Sequence, residues 1–89
     1  MKIPKTLKIG GHTYKVILEK PGKMKPDELG YTDRKKNEIV LDSSFPHDQI
    51  GATFFHELLH TINNELNHTL LDSFAEQLYQ VFSDNKLLK

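Results

Sequence analysis

The residues of this 89-residue sequence whose types and spacing most clearly could do chemistry are His56-Glu57-Leu58-Leu59-His60. On a helix, side chains four apart stand one turn above each other on the same face. Two imidazoles so placed converge on one ion, and zinc takes such nitrogen ligands at about 2.0–2.1 Å. Glu57 follows the first histidine and points off that axis by about 100°. It is too far round to complete the same ligand set, but near enough to reach a zinc-bound water. There it can take the water's proton, as the metal lowers its pKa towards roughly 7, and later deliver it to a leaving amine. His-Glu-x-x-His is the known sequence expression of this arrangement, which suits amide hydrolysis. The sequence therefore predicts a zinc-dependent metallopeptidase with Zn2+ as cofactor. His56 and His60 are its metal ligands, Glu57 its catalytic base and acid, and a peptide or protein its substrate.

A catalytic zinc keeps three protein ligands and one open position. The chain has no cysteine, so the third ligand must be an imidazole or a carboxylate. Three residues after the motif qualify: His68, Asp72 and Glu76. His68 is the candidate that the resemblance described below favours, although on one uninterrupted helix it would lie about 12 Å beyond His60 along the axis. This reading requires a reversal within residues 63–67, where Asn63, Asn64 and Asn67 favour one. Glu76 is the alternative, a glutamate reaching across from an antiparallel helix. Asp72 is the third candidate, shorter and less able to reach, though it could instead orient a histidine as a hydrogen-bond acceptor. Two rival readings keep the metal without the peptidase: a non-catalytic regulator or adaptor, and a structural site whose fourth position is closed by a side chain.

The elements that must position these residues follow from periodicity. Leu7 to Ile9 and Tyr14 to Leu18 flank Gly10-Gly11, the residues of a tight hairpin turn. Pro21-Gly22 and Pro26-Asp27 make residues 20–28 a loop. A second hairpin is expected from Leu29–Thr32, a polar turn over 33–37, and a strand Glu38–Asp42. Ser43-Ser44 and Pro46 signal a helix start. Ile50, Phe54, Phe55, Leu58, Leu59 and Ile62 then form an apolar stripe at helical spacing. The asparagines end this helix, and a second runs from about Thr69 to Ser83-Asp84-Asn85, with Leu71, Phe74, Ala75, Leu78 and Phe82 inward. The five phenylalanines read as core, and His12 and His47 as surface. Tyr31 and Tyr79 are packing residues, with an oxyanion-donor role as the lesser reading. The fold class is α+β, a small sheet followed by two helices in a single domain over residues 1–89.

Chain-wide features bound the rest. Twelve Lys+Arg balance twelve Asp+Glu, so no charge excess points to nucleic acid or an anionic membrane. No stretch approaches a membrane span or the apolar run of a signal peptide, and the absence of cysteine leans towards a reducing compartment. A soluble cytoplasmic protein is the expectation.

The chain also resembles a known group. Its strands, then Phe55-His56-Glu57-Leu58-Leu59-His60-Thr61, then a helix ending Leu78-Tyr79-Gln80-Val81-Phe82-Ser83-Asp84-Asn85, look like the small zincin-like proteins of phages and prophages. These are distant relatives of the ImmA/IrrE-like metallopeptidases. The Leu29-Gly30-Tyr31 to Ile39-Val40-Leu41 hairpin fits the same pattern, and the resemblance runs from about Thr13 onward. It implies a zincin-like fold in a bacterial or phage-infected cell. Those proteins commonly carry an acidic residue three before an apolar residue near the start of the second helix; here His68, three before Leu71, holds that place. The resemblance also implies that Ile39–Leu41 lies beside the active-site helix, where zincins bind substrate as an added strand.

Overall fold

Gly10 and Gly11 both take positive φ, 56° and 86°, the left-handed pair that a two-residue hairpin turn demands. Around them β1 (Thr6–Ile9) pairs antiparallel with β2 (His12–Glu19). The structure is a computed structural model that describes residues 2–19, 29–63, 65 and 67–86, His68 by its backbone alone. The loop expected over 20–28 lies outside the described residues. The second hairpin forms β3 (Gly30–Asp33) and β4 (Glu38–Asp42), antiparallel. In its turn, Asp33 Oδ1 accepts hydrogen bonds from the Lys35 and Lys36 N–H groups, and Asn37 takes φ 54°.

The two hairpins join through a parallel β2–β4 pairing, giving the strand order β1-β2-β4-β3. β2 and β4 are the interior strands, and β4 is the more deeply buried because Ile39, Val40 and Leu41 are apolar on both faces, each at most 1% exposed. Its position corrects one expectation. Both edges of β4 are already paired, so no substrate strand can add to Ile39–Leu41; among the described residues, the strand with an unpaired edge beside the helix is β3.

Two helices follow, α1 (His47–Ile62) and α2 (His68–Asp84). The expected serine caps do other work. Pro46 is the N-cap of α1, with no side-chain bond, while Ser44 donates from N–H and hydroxyl to Asp42 Oδ1. Asn63 ends α1 in extended rather than left-handed conformation, at φ −149°. Asn67 serves the next helix instead, its Oδ1 accepting from the Thr69 and Leu70 N–H groups at 2.8 and 3.4 Å.

α1 lies on β3 and β4, and α2 packs on α1. Asp48 contacts Tyr79 and His56 contacts Asp72, so the helices run antiparallel. Gly51 allows their close approach: a Cβ there would overlap the Tyr79 ring. Tyr14, Ile39, Leu41, Phe54, Phe55 and Ala75 share the core, which Leu78 and Phe82 border. Phe55 meets Phe54 edge-on at 5.5 Å and Phe82 at 5.2 Å. Three expected core residues instead lie outward: Phe45, Phe74 and Ile62 are 36%, 49% and 62% exposed. Phe45 precedes α1 in a bend, Phe74 turns to the outer side of α2, and Ile62 is in the last turn of α1. Among the described residues, no helix is long and apolar enough to cross a membrane.

Candidate metal centre

Residues 56–60 occupy the C-terminal half of α1, and its 16-residue length places both histidines on one face. Their rings are parallel within 4°, with centroids 6.2 Å apart. From α2, Asp72 Oδ1 lies 2.7 Å from His56 Nδ1. A carboxylate only accepts, so Nδ1 carries the proton and the imidazole presents Nε2 as its basic nitrogen. That nitrogen is 3.9 Å from Glu57 Oε2. Asp72, one of the three ligand candidates, thus stands where it can orient His56.

Glu57 is 9% exposed and is held at both ends. Its Oε1 accepts from Thr32 Oγ1 at 2.9 Å, and its carbonyl accepts from Thr61 Oγ1 at 2.7 Å. Each hydroxyl has a single proton, so these two bonds use both, and the 3.3 Å approach between the threonine oxygens adds no further donor. Thr32 reaches α1 by register. Thr32 pairs with Ile39 and Gly30 with Leu41, and cross-strand partners share a face. Ile39 and Leu41 point at the helices, so Gly30 and Thr32 do too. Arg34, in the turn beyond β3, donates from Nη2 to the His60 carbonyl at 3.0 Å, where a cation complements the end of a helix.

A cleft of about 260 Å³ opens over this group. Gly30 and Thr53 line one side, Asp72 and Glu76 the other, with His56 and Glu57 between them. The antiparallel register grades the third-ligand candidates. With Asp72 opposite His56, one turn back on α2 sets the backbone of His68 level with His60. One turn forward sets Glu76 level with Ala52, a turn away from the motif. The His68 side chain lies outside the described residues. Among the described residues, no three or more histidines and carboxylates stand together as a metal-holding group.

The donor types are ones zinc accepts: two imidazoles on one helical face, one oriented by a carboxylate, with a further carboxylate beside its basic nitrogen. Neither tyrosine serves the cleft as a donor. Tyr79 gives its proton to Asp48 at 2.6 Å, and that bond, with burial, raises its pKa above the ordinary phenol value. Tyr31 alternates with Thr32 and so faces away from α1. Burial first, then the charges of Glu19, Asp33 and Glu38, raises its pKa. His12 and His47 are both exposed.

Sequence reasoning did not single out Thr32, Thr61 or Arg34. The strand alternation at 30–32 carried the signal for Thr32, but using it required the register against β4. No family model matches the chain, and neither a curated protein nor a solved structure matches it.

Proposed function

We propose that the protein is a zinc-dependent metallopeptidase of minimal size, with a zincin-like arrangement of sheet and helices. His56, His60 and His68 bind the metal, and Glu57 acts as general base and acid. The observation that carries this reading is the Asp72–His56 bond, which fixes one imidazole with its basic nitrogen beside Glu57.

Zinc bound there would supply a Lewis acid for the peptide carbonyl and acidify the attacking water. Glu57 would accept that water's proton at Oε2 and pass it to the amide nitrogen as the C–N bond breaks. The reading takes His68, whose backbone lies level with His60, as third ligand and keeps Glu76, which lines the cleft with His56 and Glu57, as the alternative; either one alone would leave a coordination position for water, as a catalytic site requires.

The substrate strand belongs on β3. Leu29 O accepts from Asp42 N, so alternation along the antiparallel ladder directs the backbone groups of Gly30 and Thr32 to the edge of β3 that is unpaired among the described residues. An extended peptide paired there runs along the cleft beside Glu57.

The test is zinc content together with hydrolysis of a mixed fluorogenic peptide library. The wild type should bind one zinc and cleave. His56→Ala and His60→Ala should lose both properties, and His68→Ala should lower zinc affinity more than Glu76→Gln does. Tight zinc binding by His56→Ala would overturn the ligand assignment.

A further inference from the structure

Glu57 would be a general base only if its carboxylate stayed turned toward the cleft, and a glutamate with three rotatable bonds does not do so unaided. One oxygen is already committed: Oε1 accepts from Thr32 at 2.9 Å, while Oε2 lies on the His56 side, 3.9 Å from Nε2. We propose that Thr32 is a positioning residue for Glu57. Its hydroxyl holds Oε1 against the sheet so that Oε2 faces the bond to be cleaved. This inference rests on the metallopeptidase reading and extends it to a residue outside the His-Glu-x-x-His motif.

Three features favour threonine at this place. β-branching suits the strand and limits the side chain's rotamers, so the hydroxyl is itself held in place. The register turns Thr32 to the helix face of the sheet, in the same cross-strand row as Ile39. The strand carrying Thr32 is anchored to the motif a second time, because Arg34 donates to the His60 carbonyl at 3.0 Å. The base is therefore referenced to β3 as well as to its own helix. β3 is also the edge proposed to bind the peptide, so one strand would set both substrate and base.

A purely structural role is the competing account, since any buried carboxylate needs a donor. The two separate in a mutant cycle on the zinc-loaded full chain, using Thr32→Val, Thr32→Ala, Thr32→Ser, Glu57→Gln and Thr32→Val/Glu57→Gln. The probes are a fluorogenic peptide library for hydrolysis and acetohydroxamic acid for binding. This small zinc chelator gives its hydroxyl proton to a correctly placed neighbouring carboxylate.

Thr32→Val and Thr32→Ala should lower kcat roughly 10- to 100-fold, with KM and zinc content unchanged, because a slightly misplaced catalytic group loses rate on that order. Acetohydroxamate affinity should fall in parallel, Thr32→Ser should restore both, and Thr32→Val should cost nothing more in the Glu57→Gln background. Wild-type kcat and acetohydroxamate affinity in the folded Val and Ala variants would overturn the proposal, and so would additivity with Glu57→Gln. If the wild type binds zinc but cleaves no peptide, the peptidase reading fails. The acetohydroxamate measurements then decide the role of Thr32 alone. If the wild type binds no zinc, both fall.

Discussion

Within the motif, each functional group has a partner from a different element: Asp72 of α2 for His56, Thr32 of β3 for Glu57, Arg34 for the His60 carbonyl. Chemistry assigned to α1 therefore depends on groups outside it. Glu57→Gln keeps the acceptor oxygen for Thr32 but removes the proton-accepting carboxylate. It should retain zinc and lose about 10²- to 10⁴-fold in hydrolysis, read from metal content and turnover on the same sample. Asp72→Ala should weaken zinc binding about 10- to 100-fold, measured by competition with a chromogenic chelator, since His56 loses the acceptor that orients it. The pentad was legible in the sequence because its chemistry is local, set by spacing along one helix. Asp72 was legible only as the weakest of three ligand candidates, one that could instead orient a histidine, and its partner was not legible. Thr32 was not, because a threonine in a strand looks the same whether it faces solvent or a carboxylate.

At the scale of elements, the contact that fixes α2 against α1 is Gly51 under the Tyr79 ring. Helix propensity alone would favour Gly51→Ala by about 1 kcal/mol. The overlap with the ring should reverse the sign, for a net loss of about 1–2 kcal/mol in urea unfolding, because overpacking a tight contact typically costs more than propensity returns. Stabilisation instead would mean that the two helices are not in this close contact. Local signals placed the elements well. Gly10-Gly11 marks one hairpin, the polar run at 33–37 another, and the apolar spacing both helices. The strand order was not legible, since β2 and β4 pair across two intervening segments and no local pattern specifies that partner. Asn63 does end α1, though extended rather than left-handed, while Ser43 and Ser44 were misread as caps because such residues serve equally as caps and turns, and the surrounding chain decides which.

At the scale of the whole molecule, the proposed zinc and the pH both bear on stability. With a core this small, a bound zinc should add about 2.7 kcal/mol at a hundredfold excess over its Kd. It should raise Tm by several degrees, and a chelator should reverse the rise in the wild type but not affect His56→Ala. Tyr79 adds an alkaline limit. Its pKa is raised in the folded state, first by the Asp48 bond, so the unfolded chain loses this proton at lower pH than the folded one. The associated stability is fully present below the ordinary phenol pKa near 10 and is lost as pH rises through the folded value. Urea midpoints should therefore decline above about pH 10 in the wild type and less in Tyr79→Phe. The most direct test of the function is peptide-library hydrolysis by wild type and Glu57→Gln at matched, measured zinc content. Cleavage by the wild type with equal zinc but no cleavage in Glu57→Gln is the predicted result. Equal rates in both proteins, or hydrolysis that persists after the zinc is removed, would contradict it.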